Sequence, residues 1–136
     1  MTESEDIEAI KRLKAQYFRL MDTGDWDAMR ELFVDDVEID FGLTGGTGTF
    51  AGVDELFDML VPFLADRPTV HHGHMPEVEL TSATTATGIW AMEDRVRRPG
   101  GTEMHGFGHY HETYRKQGGT WRIASLWLTR LRVDFR

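Results

Sequence analysis

Cysteine is absent from the 136 residues, so the chain has no disulfide framework and no thiolate nucleophile. That absence fits a reducing compartment, and the expectation is a cytoplasmic protein. Cationic side chains are outnumbered, 15 Lys and Arg against 23 Asp and Glu, for a net charge of −8. Nucleic acid and anionic membrane surfaces are bound through basic patches, so neither is an expected partner. Long apolar runs are missing as well: none approaches the length that spans a bilayer, and Met1–Asp6 is acidic, unlike a signal peptide. There is no repeat, no low-complexity tract and no linker that would separate two domains, so residues 1–136 read as one domain.

What is present is ordered in two halves. In the first, Ile7, Ile10, Leu13, Tyr17, Leu20 and Met21 recur at three- and four-residue spacing, predicting a helix from Ser4 to Met21. Thr2 with Glu5 forms a capping-box pattern before it, and Gly24 supplies the stop. Asp25 caps a short second helix carrying Trp26, Met29, Leu32 and Phe33. Val37, Ile39 and Phe41 alternate with Glu38 and Asp40, as in a half-buried strand. A glycine-rich stretch, Gly42–Gly52, lacks the Gly-Lys-Ser/Thr ending of a phosphate loop and reads as a loop or flap. Leu56, Phe57, Leu60, Phe63 and Leu64 make a third helix that Pro62 is expected to kink or end.

In the second half, Val70–Met75, Val78–Ser82, Thr84–Arg97, Thr102–Arg115 and Thr120–Phe135 read as strands. Pro99-Gly100-Gly101 and Gln117-Gly118-Gly119 mark turns between antiparallel neighbours. Helices followed by a meander is an α+β order rather than a parallel α/β one.

Alternation along the strands identifies the side chains that face inward. Asp94 shares a face with Trp90, Met92 and Val96, so a carboxylate is set among apolar groups and requires a partner. A structural ion pair and a functional acid are equally compatible with that position. Leu126, Leu128 and Arg130 share one face of the last strand and Trp127, Thr129 and Leu131 the other. Both faces are largely apolar, which predicts helices on one side and a second copy of the chain on the other, most simply in a homodimer. Tyr17 lies on the first helix's apolar stripe, and its hydroxyl needs a partner. Asp22 lies about 130° off that stripe, where periodicity alone puts it at the surface or in the turn. His71, His72 and His74 form one cluster and His105, His109 and His111 another. Pairs at i and i+2 could share a metal, but no Cys or Glu completes a ligand set, and the reading kept is a histidine cluster without metal.

The run Tyr17-Phe-Arg-Leu-Met-Asp22-Thr-Gly-Asp-Trp26-Asp-Ala-Met-Arg-Glu-Leu-Phe33, with Val37-Glu-Ile-Asp-Phe41, resembles the opening of SnoaL-like proteins. These share the cystatin-like cone superfamily with scytalone dehydratase, bile acid 7-alpha-dehydratase and ketosteroid isomerase. The resemblance continues through Thr69-Val-His71, the strand of Asp94 and Gly119-Thr-Trp121-Arg-Ile123. It implies a cone-shaped α+β barrel, three N-terminal helices packed on a strongly curved, mostly antiparallel sheet around a small-molecule pocket. It also implies that Asp22 and His71 match the dehydratases' Asp-His pair, and that Tyr17 matches the tyrosine serving the substrate carbonyl. Asp94 matches the pocket aspartate, and Arg130 falls near the pocket arginine. Met21 and Phe41 stand where scytalone dehydratase has tyrosines, Val96 where it has a second histidine, and Phe41 also where ketosteroid isomerase has its base. Those two activities are therefore not expected.

The expected function is a cofactor-independent lyase, a dehydratase acting on a small cyclic hydrophobic hydroxy-carbonyl compound. A non-catalytic binding protein and a polyketide cyclase or isomerase of the same fold are the alternatives. Phe41, Trp90, Met92, Tyr110, Leu126 and Leu128 are the expected apolar walls beside Arg130.

Overall fold

The computed structural model describes residues 2–42 and 48–136. The first helix, α1 (Glu3–Thr23), opens with the expected capping box: Thr2 Oγ1 accepts from the Glu5 N–H while Glu5 accepts from the Thr2 N–H. It ends at Gly24, whose φ of 70° is the left-handed conformation that only glycine adopts freely. The second helix, α2 (Trp26–Arg30), is shorter than its pattern suggests. Phe33, assigned by spacing to that helix, instead starts strand β1 (Phe33–Asp40), because Phe33, Val34, Val37 and Ile39 all find the core. Phe41 lies one residue past the end of that strand, half-buried.

The glycine-rich stretch is not wholly a loop. Residues 43–47 fall outside the described residues, but Thr49–Ala51 forms strand β2, paired antiparallel with β1. Helix α3 (Val53–Leu64) runs through Pro62, which sits in the last turn where little helix remains to break. The segments expected as two strands after Thr69 form one long strand, β3 (Thr69–Leu80), with an irregularity between His74 and Glu77. Pro76 lacks an N–H for the ladder there and Met75 takes a φ of 25°, so pairing is interrupted but the strand is not ended. The remaining strands are β4 (Thr85–Arg97), β5 (Glu103–Gln117) and β6 (Thr120–Phe135).

The sheet has the order β2-β1-β6-β5-β4-β3, antiparallel except for the β1–β6 pair. It is curved and does not close: β2 and β3 remain its edges. Two bulges bend it on β6, where Ala124 and Leu131 are each the extra residue in the register with β5. The second reverses the alternation, so that Phe135 turns toward the helices. α1 packs along β3 and β6, and α3 against β1. The core between them is built from Ile10, Tyr17, Met29, Val37, Leu56, Tyr110 and Ile123, among others. No helix among the described residues is long and apolar enough to cross a membrane.

Candidate active site

Asp22 is the penultimate residue of α1, so the helix stripe does not govern where its side chain goes. The turn at Gly24 brings the helix end against β3, an edge strand with unpaired backbone groups. Asp22 satisfies three donors there. Its Oδ1 accepts from Thr69 Oγ1 at 2.9 Å and lies 2.7 Å from His71 Nδ1, while its Oδ2 accepts from the His71 N–H at 2.9 Å. The imidazole is held both through its ring and through its own backbone. With Nδ1 bound to the carboxylate, Nδ1 carries the hydrogen of the neutral ring and Nε2 is the basic nitrogen. His71 is 8% exposed, and its register partner on β4 is Asp94.

His71 and Asp94 both line a cavity of about 460 Å³ between α1, α3 and the concave face of the sheet. Met21, Phe41, Leu60, Phe63, Leu64, Val96, Leu128 and Phe135 are among its apolar wall, and Tyr17, Tyr110, Arg67, Arg98 and Arg130 are its other polar groups. Asp22 stands behind the imidazole and is not part of the wall. Tyr17 and Tyr110 are both 1% exposed, and burial pushes both phenols well above their usual range. Raised in this way, first by burial and then by the nearby Glu112 carboxylate, the Tyr17 phenol keeps its proton.

The Asp94 carboxylate meets Arg130 in a two-pronged contact, Nη1 to Oδ1 and Nη2 to Oδ2, both 3.0 Å. The guanidinium must cross β5 to get there, and Gly106 lets it pass. A Cβ at Gly106 would lie 2.1 Å from Arg130 Nη1 and 2.5 Å from Asp94 Oδ1. Gly106, opposite Asp94 on β5, is a site residue that sequence reasoning missed; a glycine inside a strand pattern was the available signal.

Beneath the tyrosines lies a second unforeseen group. Lys14 is fully buried, 2.5 Å from Glu112 Oε2, with its ammonium 3.6 Å from the ring centres of both Tyr17 and Tyr110. Burial lowers its pKa to about 8, against the opposing pull of Glu112. Glu112 Oε1 accepts from the Tyr114 hydroxyl at 2.6 Å, and that hydroxyl accepts from Trp90 Nε1 at 3.0 Å. Trp90 therefore belongs to this buried network and not to the cavity wall. Met92 and Leu126 are likewise core residues away from the cavity, since the wall curves past them. Of the apolar residues read as pocket-lining, Phe41, Tyr110 and Leu128 reach it.

The histidine clusters are dispersed. His105 Nε2 lies 2.6 Å from Glu93 Oε2, a bond that holds Glu93 below the usual carboxylate range, and His111 Nε2 lies 3.1 Å from Thr129 Oγ1. His72 and His74 are exposed. Among the described residues no three His, Asp or Glu side chains are arranged to hold a metal ion.

Comparison with known proteins places the chain in a family. A relative from Gibberella zeae named "Probable cyclase FGR4" is 29% identical over 133 residues, covering 90% of this chain and 89% of its own. A proposed scytalone dehydratase from Novosphingobium aromaticivorans superposes with a TM-score of 0.83 at 21% identity, covering 95% of this chain and 86% of that one. The hexachlorocyclohexane dehydrochlorinase LinA-type3 from Novosphingobium barchaimii gives 0.83 at 19% identity, covering 97% and 90%. At such identities the two structures speak for the fold alone. The SnoaL-like domain model matches residues 2–126, and the chain belongs to the SnoaL-like family.

Proposed function

We propose that the protein is a cofactor-independent lyase that removes water from a small cyclic, largely apolar hydroxy-carbonyl compound. The observation that carries this reading is the 2.7 Å contact between Asp22 Oδ1 and His71 Nδ1 behind an imidazole that lines an apolar cavity. His71 Nε2 takes the proton alpha to the carbonyl, and the C–H pair passes into the enolate. Tyr17 donates to the enolate oxygen, an interaction that strengthens as charge grows there. When the carbonyl re-forms, the C–O bond breaks, and the departing hydroxyl takes the proton back from the imidazolium. Asp22 stabilises that cation and fixes the ring. Both oxygens of Asp94 are occupied by Arg130, so this pair positions the substrate and does not supply the proton.

The likeness to a protein named as a cyclase favours a second outcome of the same first step, in which the enolate attacks a carbonyl within the ligand. The outer face of β4, β5 and β6 pairs with a second copy in this proposal; its central row of Ile89, His111 and Trp127 carries no carboxylate.

Cyclic β-hydroxy ketones screened by thermal shift, then assayed for enone formation, test the reading. His71→Ala and Asp22→Asn should each lower turnover by ~10²–10⁴-fold while the circular dichroism spectrum is unchanged. Turnover retained by both variants would refute it.

A further inference from the structure

The cavity's charge runs against that of the chain. A protein of net charge −8 lines this site with Arg67, Arg98 and Arg130 against a single carboxylate, Asp94, which Arg130 already occupies. Arg67 and Arg98 remain, just outside the adjoining ends of β3 and β4. Those strands pair Thr69 with Val96, and the Arg97 N–H donates to the Pro68 carbonyl at 3.1 Å, so the two segments stay together up to the cavity mouth, where both arginines line the cavity and the cleft beside it. Like charges brought to one mouth repel, and no carboxylate among the described residues is within ion-pair distance of either. Asp66 lines the cleft outside and pairs with neither. Each guanidinium instead lies over a ring at the rim: Arg67 over Phe63 at 4.3 Å and Arg98 over Phe135 at 5.0 Å. Phe63 and Phe135 are 45% and 59% exposed, so the rim is open to solvent while its inner side faces the cavity.

Two cations on aromatic supports, at the mouth of an apolar cavity, match one ligand chemistry. We propose that the substrate is an anion: a ring-sized apolar body bearing a carboxylate, with the carboxylate held between Arg67 and Arg98 and the reacting end directed at His71. The proposal deepens the lyase reading and rests on the same cavity. A carboxylate accepts a guanidinium fork on either oxygen edge, relieves the repulsion between the arginines, and anchors the ligand in one direction. The aromatic rings keep the arginines extended before the ligand arrives, which reduces the ordering cost of binding.

Paired probes of one ring system separate this inference from the reading beneath it. Binding of 2-naphthoate and of the neutral methyl ketone 2-acetonaphthone is measured by calorimetry on the full chain, at low and at high salt. Naphthoate should bind roughly tenfold more tightly or better, as expected for charge-assisted hydrogen bonds to two arginines. The preference should shrink with salt and disappear in Arg67→Gln/Arg98→Gln, and it should survive in His71→Ala. The ketone's affinity should be the same in the double variant, which shows that the cavity is intact. Equal affinity of wild type for both probes, or a carboxylate preference that persists in the double variant, overturns the anion proposal and leaves the lyase reading standing. Failure of both probes to bind any of the proteins removes the cavity from consideration, and both proposals with it.

Discussion

Lys14 shows at the scale of one residue what helix spacing contains and what it conceals. Positions 10, 14, 17 and 21 are separated by four, three and four residues, so Lys14 occupies the buried stripe between Ile10 and Tyr17. A lysine there reads as a polar interruption until its partner is known, and Glu112 is 98 residues away. Asp94 could be read from its own strand because the alternate residues Met92 and Val96 are apolar; the same alternation sets Glu112 between Tyr110 and Tyr114, a signal that was present and went unused. The fully buried pair leads to a definite expectation. Lys14→Met, which strands Glu112 without its cation, should cost about 3–5 kcal/mol in urea unfolding, and adding Glu112→Gln should recover much of the loss. Its pH dependence has a fixed sign. The folded-state pKa of about 8 lies below the value of 10.5 for an unperturbed lysine, so between those values the unfolded chain holds more protons. Stability contributed by this group therefore rises with pH across that window, and the gap between wild type and Lys14→Met should widen. A gap that narrows as pH rises through it counts against the assignment.

At the scale of elements, strand alternation was a reliable guide wherever the ladder was regular. It put Asp94 inward on β4 and set Arg130 on one face of β6 with Leu126 and Leu128; that face is the inward one, and the two residues meet. It could not foresee the bulge at Leu131, after which the inward residues of β6 change parity and Phe135 turns to the cavity. Bulges are set by pairing between distant strands and leave no local signature. The end of α1 escaped for a related reason. Asp22 lies off the stripe, and only the turn at Gly24 and the edge position of β3 bring it to His71; the family resemblance, not the periodicity, pointed there. The three-strand span of Arg130 gives the prediction proper to this scale. Gly106→Ala puts a methyl group where the guanidinium lies, so Arg130 must leave Asp94, which is 3% exposed. The expected loss is about 1–3 kcal/mol by thermal or urea unfolding. In an Arg130→Ala background the same methyl should cost less, because the nearest clash, with Arg130 Nη1, is gone and only the freed Asp94 carboxylate has to turn aside. Equal costs in both backgrounds would show that Gly106 serves the backbone and not the ion pair.

For the whole molecule, the order of helices before a long antiparallel meander was legible from patterning, as was the concave side on which the helices lie. The outer side of the sheet was legible only as a problem: an apolar surface with nothing in the chain to cover it. Trp127 is 54% exposed, Leu131 76% and Ile89 37%, and Trp127 stacks on His111 at 5.2 Å. The register sets Ile89, His111 and Trp127 in one row across three strands, with Ala91, His109 and Thr129 in the next. Across these three strands the rows carry no acidic side chain, although the chain as a whole carries 23, and the register ends the first row on Glu77 of β3 and Asp40 of β1. Two copies of so acidic a molecule repel least where such faces meet, and a twofold axis would set the central row against its own image. The face therefore predicts self-association through β4–β6. Light scattering after size exclusion should give twice the mass of 15.6 kDa at micromolar concentration, and Trp127→Glu/Leu131→Glu should reduce it to the single mass. The added carboxylates lie on the convex side, away from the cavity, so the thermal shift produced by a cavity ligand should persist in the variant. A wild-type chain that remains at its single mass across the accessible concentration range would show that this row meets solvent, or some other surface, instead of itself.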